Sequence, residues 1–309
     1  FGYWLRSSTG QYMYTSLPEL LRLDVIEDEE FWDIHEISNW IVFQSLSRLI
    51  FLDRDSNEYR IISPGGDISN SFEINRSIYF HMPKQGIFTV IAGKVVPFST
   101  NKFFRDNIVV DFFKIGSDFI VLTEDKGFYK IDENSNVFKW NTDLDSLDDV
   151  KIYSSSLSSD NLILLGTIGK GYLKLDSNGR LIQNLDKSNG LINNTILSIF
   201  EDKVGELWFG TNGGGLNRFD EANERFIHFK NQKDNKNSLS HNVVNGITQD
   251  QQGNLWLATP NGLNKLKPLD INNNNLLNNQ FVFSHYFKEL TEVKGFSTIY
   301  LDSKGEIWL

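Results

Sequence analysis

The chain has 309 residues, a formal net charge of −10 and a pI near 5.0, with 40% hydrophobic and 13% aromatic residues. This acidic balance argues against nucleic acid or an anionic membrane surface as the main partner, because both would repel it. The absence of cysteine excludes disulfides and thiolate chemistry, and no apolar run approaches the ~18 residues of a membrane helix.

Taken in chain order, the sequence predicts short strands and few helices. Residues 1–5 and 11–14 predict a hairpin that forms the outer half of a repeat, and residues 17–23 are the best helical candidate. The next unit has predicted strands at 31–37, 40–44, 49–53 and 59–62. Further units follow at 71–97, 108–140, 150–185, 196–229 and 243–286, and residues 295–309 supply only an inner pair of strands. The asparagine-rich stretches 231–241 and 272–279 are predicted loops.

Residues 193–220 show the repeat most clearly, as part of a four-stranded meander that ends at residue 229. The spacing of Asp202, Gly205 and Trp208 recurs at residues 250, 253 and 256, and again at 302, 305 and 308. A Thr–Gly marker recurs as well, and its threonines lie at intervals of 44, 44 and 48 residues, at positions 123, 167, 211 and 259. A period of roughly 40 to 50 residues with four strands in each copy predicts a β-propeller.

Six whole units and two half units predict an all-β fold, a seven-bladed β-propeller of four-stranded antiparallel blades. We expect residues 1–309 to form a single propeller domain, in which residues 1–17 and 293–309 share the seventh blade. Pairing of the N- and C-terminal strands would close the ring and leave no exposed sheet edge at the seam. The alternative is an open array that continues in a longer protein.

The repeated tryptophans and aspartates have structural interpretations. Tryptophan at one strand position of several blades favours packing between blades over stacking on a glycan. The aspartates lie in separate hairpins, which favours capping of each turn over a shared metal or catalytic site. A sialidase Asp-box has one residue between Asp and Gly and a serine before them. Here two residues separate Asp from Gly and the serine is missing, which weakens the enzyme interpretation. No pair of carboxylates for glycoside hydrolysis and no histidine spacing for a metal emerges, so we predict no catalytic residue, no metal and no cofactor.

Parts of the chain resemble a known family. Residues 189–195 and 201–211 resemble the two-component regulator propeller repeat, and residues 213–220 and 253–259 extend the match. Residues 1–4, 12–17 and 31–34 are similar to propellers that precede a triple-tyrosine domain. The resemblance implies a non-catalytic, extracytoplasmic sensor in a membrane-anchored two-component-type protein, such as a hybrid histidine kinase, that answers to an oligosaccharide or other small ligand. It also implies a neighbouring propeller, triple-tyrosine or kinase domain, and a homodimer is a further option.

The topology of a meander narrows where such a ligand would bind. The turns between second and third strands share one face with the links between blades, and irregular loops on that face suit a ligand. An arginine, an aromatic ring and amides there offer forked donors and stacking for a carbohydrate or anionic sugar. The candidates are Arg105, Trp140, Asn193, Asn194, His241 and Asn242. The simpler alternative is that these are ordinary loop residues, and that the asparagines cap the start of a blade. Two other functions stay open, a protein-docking scaffold and a polysaccharide lyase or hydrolase.

Overall fold

The computed structural model describes residues 1–6, 12–24, 26, 29–147, 149–158, 160–267, 282–286 and 295–309. These residues form seven four-stranded antiparallel sheets, which confirms the predicted seven-bladed β-propeller. Two compact units divide the chain, and each is described by itself: residues 1–146 with 302–309, and residues 147–301. The predicted loop at 272–279 and the start of the predicted shared blade, residues 293–294, lie outside the described residues.

The first unit contains a hairpin, three complete sheets and two five-residue helices within its described residues. Its elements are β1 (Gly2–Arg6), β2 (Tyr12–Ser16), α1 (Leu17–Leu21), β3 (Phe31–Ile37), β4 (Trp40–Ser45), β5 (Leu49–Asp53), β6 (Tyr59–Ile62), β7 (Asn70–Ile74), β8 (Ser77–Met82), β9 (Gly86–Ile91), β10 (Lys94–Ser99), α2 (Lys102–Asp106), β11 (Val109–Ile115), β12 (Asp118–Thr123), β13 (Gly127–Ile131) and β14 (Val137–Lys139). A short 3-10 helix follows at Asp143–Ser146. Strands β3 to β6 agree with the predicted bounds to within one residue, because each apolar run ends at a polar turn.

The second unit has three complete sheets within its described residues. Its strands are β15 (Ile152–Leu157), β16 (Ile163–Thr167), β17 (Tyr172–Leu175), β18 (Leu181–Leu185), β19 (Ile196–Glu201), β20 (Leu207–Thr211), β21 (Leu216–Asp220), β22 (Arg225–Phe229), β23 (Gly246–Gln249), β24 (Leu255–Thr259), β25 (Gly262–Leu266), β26 (Phe283–Tyr286) and β27 (Tyr300–Leu301). Short 3-10 helices lie at Lys187–Asn189 and Glu221–Asn223.

The seventh sheet closes the propeller with strands from both ends of the chain. Its order is β2-β1-β28-β27, where β28 is Ile307–Trp308. Gly2 and Leu309 exchange two backbone hydrogen bonds, of 3.1 and 3.0 Å. The Arg54 guanidinium, which lies in the turn after β5, forms ion pairs of 2.9 Å with Asp302 and 2.8 Å with Glu36. The predicted closure by pairing of the terminal strands is therefore confirmed.

The repeated aspartate and tryptophan form one hydrogen-bonded unit in each of three hairpins. Asp202 Oδ1 accepts from the backbone N–H of Val204 at 3.0 Å and of Glu206 at 2.9 Å. Its Oδ2 accepts from the indole N–H of Trp208 at 2.9 Å, and Asp250–Trp256 and Asp302–Trp308 form the same bond at 2.9 and 3.0 Å. All three indoles are buried. Turn capping and packing are thus confirmed, and the bond that joins them is a finding that the sequence pattern did not predict.

The Thr–Gly marker fixes the opposite end of the second strand. The Thr211 hydroxyl donates to the Gly215 carbonyl at 2.9 Å across the turn, and Thr123, Thr167 and Thr259 make equivalent bonds of 2.8 to 2.9 Å. Gly215 has a φ of +76°, and a Cβ there would lie 2.2 Å from the Phe229 carbonyl oxygen. Glycine is therefore required at this turn for both its backbone conformation and its close approach to the fourth strand.

Candidate ligand-binding face

The loop face is defined here as the turns between second and third strands together with the links between blades. In the second unit, hydrogen bonds connect the turn 211–215 to the links on both sides of it. The Asn193 side-chain amide donates to the Asn212 carbonyl from the preceding link. The Asn242 carbonyl accepts from the N–H of Gly213 at 3.0 Å and of Gly215 at 2.8 Å from the following link. The structure thus brings Asn193 and Asn242, both predicted from the sequence, to the two sides of one glycine turn.

The side-chain oxygens of the three predicted asparagines are bonded to backbone. Asn193 Oδ1 accepts from the Thr195 N–H at 2.8 Å, and Asn194 Oδ1 accepts from the Lys187 N–H at 2.8 Å. Asn242 Oδ1 accepts from the Asn231 N–H at 2.7 Å. These bonds hold the links in shape, because each satisfies a backbone donor that a loop would otherwise expose. The asparagines therefore position the face, whatever further contacts they make.

His241 and Asn212 are the side chains at this turn with polar groups left over. His241 Nδ1 accepts from the Val243 N–H at 3.0 Å, so the neutral ring carries its proton on Nε2, which has no partner among the described residues. Asn212 is exposed, and an isolated bridge pairs its backbone with Val243. Asn212 was not predicted as a site residue. Its position directly after the marker Thr211 was the available signal.

In the first unit, Arg105 lies exposed on α2. Its Nε donates to the Lys84 carbonyl at 3.1 Å, and the Lys84 N–H donates back to the Arg105 carbonyl at 2.9 Å. The neighbouring Phe103 ring packs on Tyr129 with centroids 3.8 Å apart. Among the described residues no carboxylate pairs with Arg105, so its terminal nitrogens are available to a ligand.

Trp140 lies at the end of the outer strand β14. Its backbone N–H donates to the Phe128 carbonyl at 3.0 Å, and its indole ring packs on the Phe128 ring with centroids 5.4 Å apart. The Lys130 ammonium lies 4.7 Å from the Trp140 centroid. Because side chains alternate along a strand, Phe128 and Lys130 project from the opposite side of β13 to Tyr129. No contact among the described residues joins Trp140 to Arg105, so the structure does not assemble these two into one site.

A stretch of the first unit carries positive charge within an acidic chain. Residues 74–105 contain five lysines and arginines and no aspartate or glutamate, whereas the whole chain has a net charge of −10. Lys84, Lys102 and Arg105 are exposed on its loop face, and Arg76 and Lys94 are exposed at its opposite turns. A local positive field of this kind favours an anionic group at the loop face.

The described residues contain no cluster of three or more histidine, aspartate or glutamate side chains that could hold a metal ion. Among the helices that are described, none is long and apolar enough to cross a membrane.

The fold defines a repeat propeller in which three blades have the Asp–Trp hydrogen bond and four have the Thr–Gly hydrogen bond. Residues 190–213 and 238–261 match the model of the two component regulator propeller family. Each matched segment runs from a link between blades, through an Asp–Trp hairpin, to the threonine turn or just beyond it. The chain therefore carries two component regulator propeller repeats, as the sequence resemblance predicted.

Solved structures show the same fold at low identity. The chain is similar to the extracellular domain of the hybrid two component system BT3049 from B. thetaiotaomicron, with 17% identity, a TM-score of 0.72, and coverage of 93% of this chain and 38% of that one. The corresponding domain of BT4673 from B. thetaiotaomicron gives 19% identity, a TM-score of 0.68 and coverage of 93% and 37%. The WD40 β-propeller domain of Doa1 gives 14% identity, a TM-score of 0.62 and coverage of 91% and 89%. Among curated protein sequences, none matches the chain. The chain thus spans little more than a third of the two bacterial domains, and these likenesses show the fold alone.

Proposed function

We propose that this propeller is the ligand-binding input module of a two-component-type signalling protein and acts on the extracytoplasmic side of a membrane. The observation that carries the proposal is the match of two repeats to the two component regulator propeller model. The likeness to extracellular domains of bacterial two component systems supports the same location and role. In this role the module binds and does not catalyse.

The proposed ligand is an oligosaccharide or another small polar molecule that binds the loop face. In the second unit, His241 Nε2 would donate to a hydroxyl group, and the exposed Asn212 amide would supply a donor and an acceptor. In the first unit, Arg105 would bind a carboxylate or sulfate through its free terminal nitrogens. Asn193, Asn194 and Asn242 would hold the links that present these groups, and Trp140 would stiffen the end of its blade.

The proposed signal is a change of contact between the propeller and a neighbouring domain, such as a second propeller, a triple-tyrosine domain or a kinase, or a second copy of the chain. A ligand shifts an equilibrium between two arrangements only by the difference in its affinity for them. The glycine turn offers a physical route within the second unit, because Asn242 joins Gly213 and Gly215 to the link that leads into β23. A ligand held at Asn212 and His241 would therefore bias the position of that link.

Calorimetric titration of the 309-residue chain with neutral and acidic oligosaccharides tests the proposal. We expect saturable binding without turnover, weakened about tenfold by Asn212→Ala or His241→Ala because each loses a hydrogen-bonding group. Asn178→Ala is the matched control, since Asn178 is an exposed asparagine in a turn between third and fourth strands. For acidic sugars, Arg105→Gln is compared with Arg76→Gln in the same blade. Turnover of a sugar would overturn the non-catalytic role, and absence of any sugar binding would overturn the ligand class.

A further inference from the structure

A groove on the second unit lies apart from the glycine turn 211–215. It runs between β18 and the turn that joins β21 to β22, and consists of two adjoining depressions of about 350 and 240 Å³. Gln183, Phe219 and Glu221 line both depressions. Leu185 and Phe219 form an apolar floor, and both also belong to the buried cluster that packs β17 and β18 against β20 to β22. Asn189, in the link before β19, lines one depression. The loop-face residues Asn193, Asn212, His241 and Asn242 line neither, so this groove is a separate site.

Three side chains of the groove, those of Gln183, Glu221 and Glu224, carry the acceptors that lack a partner among the described residues. Gln183 Oε1 is buried and has no hydrogen-bond partner. Glu221 and Glu224 are exposed, and neither forms an ion pair with a described residue. Asp220 differs, because its carboxylate already accepts from Asn223 and Arg225. A buried acceptor without a donor costs free energy in the free protein, so a ligand that donates there would recover it.

A second orphaned group lies in the cluster beneath the groove. Tyr172 is fully buried, and its hydroxyl has no hydrogen-bond partner. Burial raises the pKa of Tyr172, and the negative charges of Glu201 and Glu221 raise it further. Tyr172 lines neither depression, so its hydroxyl is not part of the binding surface. The groove itself combines an apolar floor, two unpaired carboxylates and an amide oxygen without a donor.

We propose that this groove binds an arginine side chain presented by a basic peptide segment of a partner protein. The methylene stem of arginine would lie over Leu185 and Phe219, while the guanidinium faces the carboxylates of Glu221 and Glu224 and Gln183 Oε1. A guanidinium presents five N–H donors in a planar fork, which matches several separate acceptors better than the compact ammonium of lysine does. Charge complementarity selects this occupant, because every unpaired side-chain acceptor named here requires a donor and the carboxylates require a cation.

Fluorescence anisotropy with a labelled, acetylated and amidated peptide of alternating glycine and arginine tests the proposal on the 309-residue chain. We expect saturable binding that the matched citrulline peptide loses and that a lysine peptide shows at least about threefold more weakly. The double variant Glu221→Gln/Glu224→Gln should weaken binding about tenfold or more, since it removes charge-assisted hydrogen bonds. Its control, Glu58→Gln/Glu133→Gln, makes the same change of net charge at exposed turns of other blades.

Gln183→Leu provides a second test, in which one uncharged side chain replaces another and the net charge of the protein is unchanged. We expect weaker binding of the arginine peptide and an unfolding midpoint that is not lowered, because the lost oxygen has no partner in the free protein. Equal binding by the two double variants, or equal binding of the arginine and citrulline peptides, would overturn the proposal. Asn212→Ala should leave peptide binding unchanged, which separates this site from the loop face.

Discussion

The hydrogen bond between Asp202 and the Trp208 indole should be a measurable source of stability. Replacing Asp202 with alanine removes two bonds to backbone N–H groups and leaves the indole N–H without an acceptor in a fully buried position. Loss of a cap of this kind costs about 1 kcal/mol, and an unsatisfied buried donor costs about 1–3 kcal/mol. We therefore expect Asp202→Ala to lower the free energy of unfolding by about 3 kcal/mol.

A double-mutant cycle with Trp208→Phe isolates the indole bond from the lost cap and from the cavity that phenylalanine leaves. The coupling free energy between Asp202→Ala and Trp208→Phe should be about 2 kcal/mol, the usual range for a hydrogen bond to a charged group. Urea unfolding followed by far-UV circular dichroism provides the measurement, since loss of a tryptophan alters the fluorescence signal itself. Equal slopes of the unfolding free energy against urea concentration would show that the variants unfold alike.

Asp176, in the same half of the chain (residues 147–301), provides a matched control. Asp176 Oδ1 accepts from the N–H of Asn178 and Arg180, both at 2.9 Å, in a turn of the same shape that has no tryptophan partner. Asp176→Ala should therefore destabilise the protein less than Asp202→Ala. A coupling below about 0.5 kcal/mol, or equal effects of the two alanine variants, would refute the assigned role of the indole bond.

Three further predictions concern other groups. Arg54→Met should lower the free energy of unfolding by about 3 kcal/mol, because it leaves the buried Asp302 carboxylate and the partly buried Glu36 carboxylate without their cation. Lys304→Met at the exposed pair with Asp55 should cost less than about 1 kcal/mol, and equal unfolding midpoints of the two variants in urea would contradict this. Tyr172→Phe should raise the free energy of unfolding by about 1 kcal/mol, since it removes a buried hydroxyl without a partner, and a lower midpoint would contradict it. Burial lowers the pKa of His81 despite its bond to the Phe104 carbonyl, so the stabilising contribution of His81 is complete above about pH 6.5 and declines as the pH falls below that value. The difference in unfolding free energy between the wild type and His81→Asn should therefore shrink from pH 7.5 to pH 5.5. A difference that stays constant over this range would contradict the reasoning.

The strands could be predicted because local signals agreed with the fold. In the sheet of β3 to β6, apolar runs alternate with polar turns, and the structure follows those bounds. The Asp-x-x-Gly pattern was less specific than it looked, because residues 176–179 form the same capped turn between β17 and β18, where third and fourth strands meet. A tryptophan six residues after the aspartate distinguishes the hairpin between first and second strands, since only this spacing lets the indole reach the carboxylate.

The sequence pattern did not predict the shifts in strand pairing that the sheets contain. In four sheets the pairing of the first and second strands shifts near the start of the first strand, between Phe31 and Asp33, Val109 and Asp111, Ile152 and Ser154, and Ile196 and Ser198. The extra residue at such a bulge has no common identity among these blades: it is tryptophan, valine, tyrosine or leucine. A bulge re-aims neighbouring side chains and increases local twist, and it depends on the packing of the whole sheet rather than on one residue type.

The polar contacts of the loop face could be predicted only in part, because they join residues distant in sequence. Asn193 was selected as a loop amide, but its bond to the Asn212 carbonyl depends on which turn lies opposite. The groove that contains Gln183 was not predicted at all. Its members come from β18 and from a turn more than thirty residues later, and neither segment carries a sequence motif.

The two hydrogen-bonded markers hold both ends of the second strand within one blade. The Asp202 carboxylate fixes the start of β20, and the Thr211 hydroxyl fixes its end, both through partners in the same blade. Neither bond uses the side chain of residue 212, so the exposed Asn212 amide is available to the ligand that we propose. The turn is nevertheless not independent, since Gly213 and Gly215 both donate to Asn242 in the next link. In the proposed function, a ligand contact at Asn212 would therefore reach the following blade through these backbone bonds.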